Sequence, residues 1–180
     1  MTTASKITMA RVLMIPVFMI TLYSDWEYGE FIALAVFIVA CVTDSIDGYI
    51  ARHYNQITDF GKFIDPLADK LLVFAALLIF VERGQMSSWA AMLILTREFA
   101  VTALRLVAVD GGVVIAAGTS GKIKTVTSMV GICVMLTPLR ELVIFGLSVN
   151  NVSVWLMLLT TLWSGIEYFY QNRALLDVGR

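Results

Sequence analysis

The chain has 180 residues, 59% of them hydrophobic, and a mean hydropathy of +0.83, well above the roughly 45–50% apolar content of soluble domains. That composition excludes an ordinary water-soluble globule, and a formal net charge of −1 gives no footing for a nucleic-acid partner. Spans of about 20 apolar residues with short connections use up the whole length, so the expectation is one all-α polytopic membrane domain over 1–180, with about six transmembrane helices.

Residues 7–23 form the first apolar run, with Pro16 inside it as an expected kink, because proline lacks the N–H that a helix interior uses. No small-residue cleavage site follows this run, so it is expected to stay in the mature protein. The polar stretch 24–30 leads to a second span over 31–52, a short interfacial loop over 53–61 and a third span over 62–81. Pro66 is expected to bend the start of that third span and to disfavour helical geometry at Asp65. Residues 82–88 read as a turn. The fourth span, 89–109, carries Arg97 and Glu98 near its middle, an expensive place for charge. After Asp110-Gly111-Gly112 and the run G-K-I-K-T at 121–125, a fifth span is expected over about 123–136. Pro138 and 139–150 read as a partly helical interfacial connection, and 152–170 is the sixth span. Cys41 and Cys133 stand in apolar runs without metal or disulfide spacing, and are read as inert.

Six spans put both termini on one side, together with the 53–61 loop and the 110–122 connection. Lys6, Arg11, Arg52, Lys62, Lys70, Arg105, Lys122, Lys124, Arg173 and Arg180 gather on that side, against Arg83 and Arg140 on the other. The positive-inside rule makes the richer side cytoplasmic.

Four carboxylates interrupt this apolar chain. Asp44 and Asp47 are three residues apart and Asp65 and Asp69 four apart, so each pair shares a helix face. Neighbouring antiparallel spans would bring both pairs to similar depth. Crowded carboxylates in a low dielectric repel unless cations bind them, and hard divalent ions with oxygen ligands, Mg²⁺ or Mn²⁺, are the natural counterions. Four acids suffice for two metals. Arg52 is placed to pair with a phosphate. Gly48, Ala51 and Gly61 either let helices approach closely or open room for a flat ligand. The plainer alternative makes these acids interfacial ion-pair partners of Arg52, Lys62 and Lys70. It accounts for any one aspartate better than for the whole set.

The full pattern is D-x-x-D-G-x-x-A-R, eight residues, then G-x-x-x-D-x-x-x-D, with eight fixed positions. In this it resembles the CDP-alcohol phosphotransferases. The resemblance implies a six-helix, usually dimeric membrane fold with a dinuclear metal site open to the cytoplasm of a bacterial cell. Asp44, Asp47, Asp65 and Asp69 would hold the metals, and Asp69 would also be the general base. Thr8, Gly48, Ala51, Arg52 and Gly61 would line the CDP site. Ser5 stands where the related run N-x-x-T-x-x-R begins with Asn, whereas Thr8 and Arg11 keep the family's residue types.

Three further stretches, T-R-E-F-A-V-T-A-L-R-L at 96–106, G-K-I-K-T at 121–125 and S-G-I-E-Y-F-Y at 164–170, resemble family members whose acceptor is glycerol 3-phosphate. The expected reaction moves the phosphatidyl group of CDP-diacylglycerol, drawn from membrane lipid, to that acceptor, giving phosphatidylglycerol phosphate and CMP. Arg97 and Arg105 lie eight apart on one helix face, and Lys122 and Lys124 stand at the cytoplasmic end of span five. All four are candidate donors to a dianionic phosphate. For Arg97 the alternative is a pair with Glu98 or Glu167, and for the lysines it is topological anchoring. Two other functions use the same carboxylates: transfer to a different alcohol, and cation or proton transport.

Overall fold

The structure, a computed structural model, describes residues 3–24, 26–53, 59–110, 115 and 118–173. The side chains of 3–8, 44–53, 59–69 and 110 lie outside that description. The chain is mostly helical: α1 Thr3–Tyr23, α2 Gly29–His53, α3 Asp59–Glu82, α4 Ser88–Asp110, α5 Thr119–Met135 and α6 Val149–Gln171. Between α5 and α6 lie a 3₁₀ turn, Pro138–Glu141, and two short strands, β1 Val143–Ile144 and β2 Leu147–Ser148. Two compact units are present, Met1–Ile79 and Phe80–Arg180.

In the first unit α1 and α2 pack as a hairpin. Phe18 and Phe37 meet with ring centroids 6.3 Å apart. They are buried with Leu22, Ala33 and Ala40, residues three to four apart on each helix. The helix assignment continues through Pro16 in α1 and Pro66 in α3.

In the second unit α6 packs against both α4 and α5. Its buried face is Ser153, Met157, Thr161, Ser164, Gly165 and Tyr168. The facing stripe of α5 is Ser120, Lys124, Ser128, Gly131, Ile132 and Met135. Trp155, Leu159, Trp163 and Ile166 point outward from α6 and are exposed. Small and polar residues inside with large apolar residues outside reverse the soluble pattern. Lipid gives little hydrophobic reason to bury leucine, so close approach and hydrogen bonding hold such helices together. Gly131 shows how close that approach is: a Cβ there would stand 2.7 Å from Met157 Sδ. At the start of α6, Asn150 Nδ2 donates to the Gln85 carbonyl at 2.7 Å. Among the described residues, α6 is the one helix both long and apolar enough to cross a membrane; Met9–Tyr23 and Gly29–Thr43 are shorter apolar stretches.

The connection after α5 is partly helical as expected, through the 3₁₀ turn, and adds a hairpin that was not expected. Thr137 precedes Pro138 and is extended, with φ −113° and ψ 160°, as the proline ring demands of its predecessor. That ends α5. After the 3₁₀ turn, Val143 pairs with Ser148 and Ile144 with Leu147, antiparallel. The two-residue connection Phe145-Gly146 has φ of 52° and 80°, the positive values that match a tight turn to strand twist. α5 also starts earlier than expected, at Thr119, which places Lys122 and Lys124 in its first two turns.

Candidate functional site

The carboxylate motif divides between two helices of the first unit. Asp44, Asp47, Gly48, Ala51 and Arg52 stand on the last turns of α2, and Gly61, Asp65 and Asp69 on the first turns of α3. Helical backbone at all these positions gives each aspartate pair a common face, as their spacing requires. Their side chains, like that of Thr8 on α1, lie outside the described residues. Among the described side chains no group of three or more His, Cys, Asp or Glu could hold a metal, and those of the four aspartates are not among them. As a donor set, four carboxylates on two helices have the all-oxygen chemistry that hard divalent ions select.

In the second unit, the side chains of Arg97, Arg105, Lys122 and Lys124 are among those described. Arg97 sits in the middle of α4 with its side chain 12% exposed. Nη2 donates to Ser164 Oγ at 2.7 Å, and Nη1 lies 3.5 Å from Glu98 Oε1. Glu98 is also the ion-pair partner of Lys124, which reaches it from α5. Arg105, two turns beyond Arg97, donates from Nε to Tyr168 Oη at 3.3 Å and stands over that ring, 5.4 Å from its centroid. Tyr168 itself packs on Val101 and Leu104 of α4.

Of the four expected phosphate donors, Arg97, Arg105 and Lys124 therefore turn toward the packed side of α4, α5 and α6. Lys122 does not; it is exposed. Two helical steps turn a side chain through roughly 200°, so neighbours of the same type in sequence face opposite ways. Of the two alternative partners for Arg97, Glu98 is in contact, whereas Glu167 accepts from Gln171 Nε2 at 2.9 Å. Sequence reasoning did not single out Ser164, Gly165 and Tyr168 as neighbours of the arginines, and saw Glu98 only as a partner for Arg97. The legible signal was the spacing: Thr161, Ser164, Gly165 and Tyr168 recur at three- and four-residue intervals through an apolar helix, a polar stripe that must face something polar.

The model of the family described as CDP-alcohol phosphatidyltransferase matches residues 1–163. The chain belongs to that family. It is 41% identical to the CDP-diacylglycerol–glycerol-3-phosphate 3-phosphatidyltransferase of Bacillus subtilis, covering 93% of each chain. It is 38% identical to a probable phosphatidylglycerophosphate synthase of Mycobacterium tuberculosis, over 98% of this chain and 83% of the relative. A CDP-diacylglycerol–glycerol-3-phosphate 3-phosphatidyltransferase of Rickettsia bellii is 34% identical over 91% of both. The family is generally dependent on divalent metal, in keeping with the oxygen-only donor set of the motif. Membership also places the chain among membrane proteins of phospholipid synthesis.

Proposed function

We propose that this protein transfers the phosphatidyl group of CDP-diacylglycerol to glycerol 3-phosphate. The observation that carries this reading is the 41% identity, along 93% of each chain, to a relative named for that reaction. The eight-position motif on α2 and α3 supports the CDP-alcohol half of it.

In this reading one domain over 1–180 crosses the plasma membrane six times and acts as a homodimer, with the motif at the cytoplasmic face. Asp44, Asp47, Asp65 and Asp69 hold two divalent cations, Mg²⁺ or Mn²⁺, which when bound neutralise diphosphate charge and stabilise the leaving CMP. Thr8, Gly48, Ala51, Arg52 and Gly61 bind the CDP moiety. Arg97 and Arg105 hold the acceptor phosphate, with Lys124 adding positive charge beside them and Lys122 drawing the acceptor in from the exposed side of α5. Asp69 takes the proton of the sn-1 hydroxyl as the hydroxyl oxygen attacks the lipid-linked phosphorus. A glycerol oxygen–phosphorus bond forms and the phosphoanhydride bond to CMP breaks. The products are phosphatidylglycerol phosphate and CMP.

The test is acceptor competition on purified protein in nanodiscs containing CDP-diacylglycerol. CMP release should follow glycerol 3-phosphate in preference to serine, inositol phosphate or glycerol. A preference for any of the other three would move the protein to a different acceptor.

A further inference from the structure

The environment of Arg97 is not that of an arginine whose hydrogen bonding is completed by protein. Ser164 Oγ takes one terminal nitrogen at 2.7 Å and Glu98 stands 3.5 Å from the other. The third nitrogen, Nε, is buried and has no acceptor among the described residues. Leaving a charged donor in that state is costly unless a ligand completes it. The neighbour of Ser164 explains how the side chain gets there. A Cβ on Gly165 would stand 2.9 Å from Arg97 Cγ and 3.6 Å from Nε, so the missing side chain is the space in which the arginine stem lies.

Charge points to the same kind of ligand. Arg105 has no carboxylate partner among the described residues; its contacts are the Tyr168 hydroxyl and ring. Glu98 is contacted by both Arg97 and Lys124. Arg97, which shares its carboxylate with Lys124, and Arg105, which among the described residues has only the tyrosine, together call for an anion offering several acceptor oxygens. A phosphate dianion has that chemistry and suits guanidinium geometry.

We propose that Ser164 and Gly165 are positioning residues that seat Arg97 with its Nε–H kept for the phosphate of the acceptor, while Tyr168 orients Arg105 toward the same group. This rests on the reading above that the acceptor is a phosphate ester. None of the three α6 residues needs to touch the reacting atoms; they act through the arginines.

The experiment compares wild type with Ser164→Ala, which removes the hydroxyl without adding volume, and with Gly165→Ala, which intrudes on the stem. KM for glycerol 3-phosphate should rise about tenfold in Ser164→Ala, the scale of one lost hydrogen bond to a charged group. KM for CDP-diacylglycerol and kcat should stay within about twofold, since only acceptor binding is weakened. Gly165→Ala should move the same constant in the same direction, and Ser164→Ala decides alone where Gly165→Ala does not fold. An unchanged acceptor KM in Ser164→Ala, or an equal rise for both substrates, overturns the seat while leaving the transferase reading intact. Absence of glycerol 3-phosphate-dependent CMP release from wild type overturns that reading instead. In that case equilibrium binding of inorganic phosphate judges the seat: weaker binding in Ser164→Ala supports it, and equal binding rejects it.

Discussion

Lys124 of α5 and Glu98 of α4 form a buried ion pair, with side chains 7% and 11% exposed. Losing Lys124 leaves Glu98 with Arg97 3.5 Å away, so the cost lies toward the lower end of the about 3–5 kcal/mol that breaking a buried pair carries, and removing both charges of the pair is less damaging than removing one. Lys124→Met should therefore lower the melting temperature sharply. Adding Glu98→Gln should restore part of the loss. Thermal unfolding of the two single variants and the double variant measures the coupling directly, and additive losses would mean that the pair is not energetically linked.

Gly131 and Met157 set the separation of α5 and α6. A methyl group at Gly131 would meet Met157 Sδ at 2.7 Å and Cγ at 2.8 Å. Methionine is flexible enough to yield, so Gly131→Ala should cost about 1 kcal/mol, at the low end for overpacking. In a Met157→Ala background the same change should be neutral, because the obstructing atoms are gone. Melting of the four proteins in one detergent tests this.

Asp69→Asn should reduce CMP release by at least about 100-fold, the lower bound for loss of a positioned general base. Chelation of divalent ions should abolish CMP release from the wild type, and Mg²⁺ or Mn²⁺ should restore it. Turnover that survives either treatment would remove the proposed roles of the motif aspartates.

Phe145 occupies the first position of a two-residue turn with φ 52°, and its side chain is fully exposed. A bulky residue held in the left-handed region costs about 1–3 kcal/mol, and Asn-Gly is the preferred pair for such a turn. Phe145→Asn should raise the stability of the purified protein in detergent by about 1 kcal/mol. A drop in melting temperature would show that the exposed ring is held by contacts of its own.

Some of the molecule is legible because its causes are local. Apolar runs predict each helix to within a few residues, and Pro138 follows the end of α5, whereas Pro16 and Pro66 lie within helices. The hairpin at 143–148 escaped because its residues, Val-Ile-Phe-Gly-Leu, read as apolar chain continuing toward α6, and a turn with phenylalanine at its first position lacks the usual Asn-Gly signal.

By itself, the sequence determined the family, the pairing of Asp44 with Asp47 and of Asp65 with Asp69 on helix faces, and the oxygen-rich character of the motif. Those follow from a 3.6-residue period and from the affinity of carboxylates for hard cations, neither of which needs a long-range contact. The tertiary structure alone decided which cations are engaged and by what. Lys122 and Lys124 are equivalent in composition and opposite in facing, and Glu98 finds Lys124 and Arg97 finds Ser164 only because α5 and α4 pack on α6. Side chains far apart in sequence acquire partners from the rotation and separation of whole helices, and no local pattern encodes that.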